Sequence, residues 1–513
     1  MNGADALIET LIDNDVEACF ANPGTSEMQF VSALDRQPKM RSVLGLFEGV
    51  VTGAADGYGR MAGKPACTLL HLGPGYGNGL ANLHNARRAH TPIINVVGDH
   101  ATYHRQYDAP LNSDIAAIVA PNSIWVKSAE TAEQVGPLAA EAVQASYGPP
   151  GGSATLILPA DSAWLPATTR GPRINPPGKA VVSDGTVAEI AKALRAAAKP
   201  VLLLGSGACS EAGFAAAGRL AAAGVRVLTD TFIARTPRGA GRFAPDKMQY
   251  FAEAAVADLA GVDLMVFVET VTPAAFFAYP DRPSILVPDG CETATLADRS
   301  HNGADALGRL ADALGAPAAA SVEALKLPDP FTGKLNAAAV GASIARHMPE
   351  GAIISDDSVT SGGAVLALTR NARPHEWLGL TGGAIGQGIP VAIGAAVACP
   401  DRKVLSLNGD GAAMYTVQGL WTMAREGLDV TTVVFANNSY KILGVELGRT
   451  GAGDPGPASS RLLSLGDPAI DWVSLAKGMG LPAVRCESAE AFDAAFAHAM
   501  AEPGPHFIEA VVA

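Results

Sequence analysis

The chain is short of several things. Its 513 residues hold six cysteines (Cys19, Cys67, Cys209, Cys291, Cys399 and Cys486), no two at CxxC spacing, which argues against a disulfide framework or a cysteine zinc site. Charged residues make up only 17%, and 37 basic against 50 acidic side chains leave −13 with histidine neutral. An acidic chain suits neither nucleic acid nor an anionic membrane surface. Unbroken apolar runs are scarce: Thr381–Pro400 is uncharged, but five glycines, Gln387 and Pro390 interrupt it, so no membrane span is expected. Residues 1–16 lack the basic start and apolar middle of a signal peptide, and the expected location is the cytoplasm. Aromatics reach only 6%, whereas glycine (56), proline (35) and apolar residues (48%) are plentiful. That balance describes a large α/β protein with alanine-rich helices and glycine-rich turns, and it excludes general disorder. At roughly 100 to 200 residues per domain, three domains are expected.

Short apolar runs alternate with helical stretches in three blocks, the pattern of parallel sheets covered by helices. In the first, residues 1–165, strands are expected at 16–21, 42–47, 66–72, 92–97 and 154–158. A proline-rich linker follows. The second block, 180–315, has expected strands at 200–204, 225–229, 263–268 and 284–287, with a turn Gly205-Ser206-Gly207 and then Gly213. This is a degenerate dinucleotide fingerprint and a weak signal, because any tight strand-to-helix turn favours glycine. After a second linker the third block, 336–513, has expected strands at 352–355, 377–380, 404–407, 431–436 and 506–511.

The richest stretch is Gly409-Asp410-Gly411 after one strand and Asn437-Asn438 after the next, with 25 residues between them and an amphipathic helix expected over 416–425. Either motif alone commonly marks no more than a turn. Carboxyl ends of consecutive strands lie side by side at the crevice of an open α/β sheet, so Asp410 and Asn438 can converge. Carboxylate, amide and carbonyl oxygens are hard donors suited to magnesium, which completes its shell with phosphate oxygens. The helix after Gly411 would aim its amides at the anion.

GDG followed at this spacing by NN resembles the thiamine diphosphate enzymes, and the resemblance covers nearly the whole chain. It implies three doubly wound parallel-sheet α/β domains: pyrimidine-binding (1–165), central (180–315) and diphosphate-binding (336–513). It implies thiamine diphosphate and Mg2+, with Asp410, Asn438 and the Tyr440 carbonyl as metal ligands. Gly383, Ile385, Gly409, Gly411, Ala412, Ala413, Ser358 and Asn78 are implied as cofactor contacts, Ile385 wedging between the two rings. Gly24, Gly75, Gly383, Gly409 and Gly411 are the places where backbone is expected to approach the cofactor. Glu48, in Leu46-Phe47-Glu48-Gly49-Val50, matches the glutamate that activates the aminopyrimidine. In the family that glutamate and the diphosphate site come from different subunits, implying a homodimer or homotetramer with active sites at the interface.

Two further loops, Asn22-Pro23-Gly24-Thr25-Ser26-Glu27 and His71-Leu72-Gly73-Pro74-Gly75, resemble those of benzoylformate decarboxylases. By that likeness Thr25 or Ser26 orients the substrate carboxylate, and His71 moves protons. Leu111, Asn112, Leu443, Phe276 and Phe277 are expected around the substrate. The adjacent histidine pair of pyruvate decarboxylases is missing, and Gly444 stands where they place an acid, with Glu446 two positions later. The run Gly386-Gln387-Gly388-Ile389-Pro390 is also similar to acetolactate synthases. Those usually carry a hydroxyl residue at the place of His71 and bind flavin, which the short central block argues against. The expected activity is decarboxylation of a small 2-oxo acid to an aldehyde; the alternative is carboligation of the acetolactate synthase type. A non-catalytic paralogue and a nicotinamide-dependent dehydrogenase are weaker rivals.

Overall fold

The computed structural model describes residues 1–512. Three α/β domains are present, each built on its own sheet. The first sheet comprises β1 (Ala18–Asn22), β2 (Arg41–Leu44), β3 (Ala66–Leu70), β4 (Ile93–Asp99), β5 (Trp125–Ser128) and β6 (Ser153–Pro159), all parallel, in the order β2-β1-β3-β4-β6-β5. The middle of the chain supplies β7 (Pro200–Leu204), β8 (Arg226–Thr229), β9 (Thr236–Arg238), β10 (Asp246–Lys247), β11 (Leu264–Val268) and β12 (Glu292–Ala297). The last part supplies β13 (Ile353–Asp357), β14 (His375–Leu378), β15 (Val404–Gly409), β16 (Val430–Ala436), β17 (Ala483–Cys486) and β18 (His506–Val511). The central sheet runs β10-β8-β7-β11-β12 and the third β17-β18-β16-β15-β13-β14-β9.

Three expectations need correcting. Residues 284–287 make only an isolated bridge from Ile285 to Ala274, and the strand is Glu292–Ala297 instead. The apolar run 284–287 was misleading because Leu286 is buried in a core cluster without joining a sheet. β12 sits at a sheet edge and exposes much of its polar sequence, so it lacks an apolar signature. The helix expected over 416–425 spans Gly419–Glu426 and stops where Gly427 takes a left-handed φ of 60°. Finally, the third sheet is not purely parallel: β9 leaves the central segment and pairs antiparallel with β14, Pro237 opposite Glu376. Proline is tolerated there because the strand is at the edge.

The small-residue helix Glu48–Ala62 explains how the outer domains meet. A Cβ on Gly57 would collide with the Val391 carbonyl, and one on Gly394 with the Ala54 carbonyl. Helices Glu48–Ala62 and Gly388–Ala398 therefore pack backbone to backbone. Val50, Val51, Ala54, Ile389, Val391 and Ile393 belong to one buried cluster spanning both domains. Each large aliphatic side chain buried there contributes about 1.5–3 kcal/mol, and valine at position 57 or 394 would force the helices apart. Among the described residues no helix is long and apolar enough to cross a membrane.

Candidate active site

β15 ends in Gly409, and Asp410 begins a five-residue helix, Asp410–Met414. This helix, not the later one expected from sequence, follows the motif. Asp410 is buried. Its Oδ2 accepts the amides of Asn437 (3.0 Å) and Asn438 (2.6 Å) beyond β16, and its Oδ1 accepts that of Gly411 (2.8 Å). The carboxylate thus draws the two motifs together. Asn438 holds a left-handed φ of 54°, and the Tyr440 carbonyl accepts from Leu443 at 2.9 Å with one lone pair left. Burial raises the Asp410 pKa, and an adjacent cation would favour the ionised form. Among the described residues no three His, Cys, Asp or Glu side chains form a metal cluster. One carboxylate completed by neutral oxygens is a set suited to a hard ion that keeps its other positions for phosphate and water.

The glycines here have different reasons. A Cβ on Gly409 would meet nothing nearer than the Asp357 and Ser358 carbonyls at 4.0 Å, leaving room for a ligand. At Gly411 a Cβ would collide with the Tyr440 ring, so this glycine makes room for a side chain. Ala412 and Ala413 are buried in the short helix, and the Ala412 amide lacks an intrahelical acceptor. Ser358 lies beside Gly409, but its hydroxyl is engaged by Asp356.

The segment 381–388 is pinned along its backbone. Asn85 bonds both the carbonyl (2.7 Å) and the amide (3.2 Å) of Ala384, His84 Nε2 meets the Gly382 carbonyl at 3.1 Å, and Thr416 donates to the Gly386 carbonyl at 2.8 Å. Asp357, at the end of β13, takes the amides of Gly386, Gln387 and Gly388 at 2.7, 3.0 and 3.2 Å on one oxygen. Its other oxygen is buried without a partner among the described residues, and burial pushes its pKa up to about 7. Ile385 sits in this fixed loop, half-buried and outside the apolar clusters. Gly383 has a φ of 77°, and a Cβ there would lie 2.5 Å from the Phe276 ring, so that glycine too answers to a side chain. Asp357 and Asn85 were missed in the sequence; the paired Asp356-Asp357 closing an apolar strand was the available signal.

The first domain gathers the other candidates. Glu48, 8% exposed, opens its helix and accepts from Asn78 Nδ2 at 2.9 Å; a Cβ on Gly75 would lie 3.2 Å from its Oε1 and 3.4 Å from the His71 Cβ. His71 Nδ1 lies 2.9 Å from Oε2 of Glu27 and 3.4 Å from the Ser26 hydroxyl, which donates to Glu27 Oε1 at 2.5 Å. Glu27 was not singled out from sequence, yet its side chain is fully buried. It also accepts the Gly24 amide at 2.7 Å, and a Cβ on Gly98 would collide with it. A Cβ on Gly24 would collide with the His71 ring, so the two loops approach closely here. Thr25 is exposed beside this network.

The expected pocket residues are not gathered into one wall. Leu111 is exposed and Asn112 bonds Asp108, while the adjacent Ser113 packs on Gly73. Phe276 and Phe277 form an aromatic cluster with Phe232 and Tyr250, and Leu443 lies exposed on helix Lys441–Arg449. Glu446 turns to the central domain, accepting the Tyr279 hydroxyl at 2.6 Å. Among the described residues no hydrogen bond joins the Glu48 and His71 cluster to the Asp410 turn within one chain.

The arrangement can hold a metal-bound diphosphate at one place and present a paired histidine and glutamate at another. Comparison with known proteins gives the family. The sequence model for the thiamine pyrophosphate enzyme N-terminal TPP binding domain matches residues 1–118, and that for the C-terminal TPP binding domain matches residues 358–510. A Mycobacterium tuberculosis H37Rv protein, provisionally named acetolactate synthase large subunit IlvX, is 51% identical over 516 residues, covering 100% of this chain and 99% of the relative. Benzoylformate decarboxylase of Pseudomonas aeruginosa is 27% identical over 531 residues, covering 98% of this chain and 97% of its own. The fold is shared with the solved 4-hydroxybenzoylformate decarboxylase of Rhodococcus jostii, at a TM-score of 0.88 and 24% identity, covering 100% of this chain and 99% of that one.

Proposed function

The chain belongs to the thiamine pyrophosphate enzyme family, and from that premise we propose that it decarboxylates a small 2-oxo acid to an aldehyde with thiamine diphosphate and Mg2+. The proposed division of labour gives residues 1–165 the pyrimidine end, 336–513 the diphosphate end, and 180–315 the space between. When bound, thiamine diphosphate supplies the carbon that adds to the 2-oxo carbonyl and takes up the electron pair released with carbon dioxide. Asp410, Asn438 and the Tyr440 carbonyl hold Mg2+ on the diphosphate, the open face of Gly409 admits it, and the pinned loop presents Ile385. Glu48, set by Asn78, shares a proton with the aminopyrimidine. Ser26 or Thr25 orients the substrate carboxylate.

The observation that carries the aldehyde reading is the buried Glu27 beside His71. A carboxylate accepts, so Nδ1 keeps its proton and Nε2 is the nitrogen left to take up a further proton and hand it to the carbon left by decarboxylation. The second reading is carboligation. The 51% identity to a protein named as an acetolactate synthase large subunit favours it.

Carbon dioxide release across a panel of 2-oxo acids, with and without aldehyde acceptors, separates the two. Equal aldehyde yields in both conditions support decarboxylation; an acceptor-dependent 2-hydroxy ketone in place of aldehyde overturns it. Glu48→Gln should bind cofactor yet slow its C2 proton exchange by roughly 10²- to 10⁴-fold, seen by NMR. The separation of the two clusters within one chain supports a second copy supplying Glu48. Mixing inactive Glu48→Gln and Asp410→Ala chains should then restore activity, and a mixture as inactive as its parts would refute the shared site.

A further inference from the structure

A cavity of about 1020 Å³ lies between the first domain and the carboxyl ends of the central strands. Ligands of open α/β sheets bind at such ends. The turn Gly205-Ser206-Gly207 follows β7, and Asp230 follows β8 about twenty residues on, where dinucleotide-binding domains keep the acid that takes ribose hydroxyls. The volume suffices for a nucleotide. The length of the central block therefore does not decide the matter; charge does.

Glu269 follows β11 with a left-handed φ of 54°, an uncommon conformation for a residue with a side chain. Its carboxylate is 3% exposed. Oε1 accepts the amide of Gly303 at 2.9 Å, the first residue of helix Gly303–Leu314, and Oε2 is ion-paired with Lys179. A Cβ on Gly207 would collide with the same Oε2, and one on Gly205 with the Glu269 carbonyl. A glycine-rich turn and a helix N-terminus each offer free backbone amides to an anion. Here both face one carboxylate of the chain itself.

We propose that Glu269 is the resident anion of the central domain: it fills the place a dinucleotide's phosphates would take, so the crevice rejects flavin adenine dinucleotide and other nucleotide diphosphates. The inference rests on the family reading only for the flavin that an acetolactate synthase-like chain is expected to bind. The cations around the cavity are largely spoken for. Lys179 serves Glu269, Arg235 serves Glu376 at 3.0 Å, and Arg60 serves Asp56 at 2.5 Å. Arg299 makes no ion pair with Asp230, though its charge opposes the rise of that carboxyl's pKa, and burial brings the His90 pKa down to about 4, so it is neutral at pH 7. Of these cations, Arg88 and Arg299 alone are in no ion pair among the described residues and are left to face a diphosphate, against the carboxylates of Glu269 and the half-buried Asp230.

The test uses the purified enzyme loaded with thiamine diphosphate and Mg2+. Acid release of any bound flavin is followed by its visible absorbance, and ADP and inorganic phosphate are titrated calorimetrically into wild type, Glu269→Gln and Glu269→Ala. Wild type should release no flavin and bind no ADP, while Glu269→Ala gains affinity for both anions by roughly tenfold or more. Glu269→Gln keeps the shape and removes only the charge, and it serves if the alanine variant does not fold. Stoichiometric flavin in wild type, or ADP binding equal in wild type and the soluble variants, or absent from all of them, overturns the proposal. Thiamine diphosphate affinity, measured in the same samples, reports separately on the active-site reading.

Discussion

Gly409-Asp410-Gly411 and Gly205-Ser206-Gly207 are both tight, glycine-rich turns leading from a parallel strand into a helix, yet their surroundings are opposite. At the first, the side chain between the glycines gathers the amides beyond the next strand, and the space over Gly409 stays open. At the second, Glu269 fills the space over Gly207. Glycine after a strand is a permission for close approach and says nothing of what approaches. In the third domain the site is left to a ligand; in the central domain the chain supplies the occupant.

Substitutions can break this contrast. The largest effect is expected for Asp410→Ala, which should weaken metal-dependent thiamine diphosphate binding by more than about 100-fold, since even outer-shell changes at metal sites cost 10–100-fold. Cofactor titration with and without Mg2+ measures it, and tight metal-dependent binding would remove Asp410 from the site. Next comes Gly409→Val. Overfilling the open space should weaken the cofactor by about 10- to 100-fold, the equivalent of 1–3 kcal/mol, while thermal unfolding of the cofactor-free protein changes little. Gly207→Ala should do the reverse, costing about 1–3 kcal/mol of stability as the new Cβ drives against Glu269 and leaving cofactor affinity unchanged. If each variant behaves like the other, the contrast is false.

The last effect shows only as pH is varied. Burial raises the Asp230 pKa from 3.8 to about 6, with Thr270 donating to it at 2.6 Å. A carboxyl whose folded pKa lies above its unfolded value contributes stability that is full below about pH 4 and lost as pH rises through about 6. Asp230→Asn should flatten denaturant stability between pH 4 and 6, by up to about 3 kcal/mol. An unchanged slope would show that Asp230 does not carry that dependence.

The legible parts of the chain were those whose physics is local. β7 and β18 fall on the expected residues because four consecutive buried positions in each, Val201–Leu204 and Phe507–Ala510, are almost all apolar. β5, β12 and β17 were not foreseen; each lies at or beside a sheet edge with exposed positions, and its sequence is correspondingly mixed. Asp410 and Asn438 were readable because strand ends converge by topology. Glu27 was not: within the sequence it is one more acid in a turn, and only folding buries it against His71.

What the sequence alone determined was the alternation that makes three parallel sheets and the ordered motif that points to the thiamine pyrophosphate enzyme family, since both depend on residue type and spacing. What only the tertiary structure decided was which glycines stand open and which are filled, which carboxylate meets which partner, and that Glu48 and Asp410 remain unjoined within one chain. Those outcomes depend on contacts between residues far apart in sequence, as between Gly24 and His71 or Gly207 and Glu269. No local pattern encodes such a meeting, because the partners' identity is fixed only when the packed backbone brings them together.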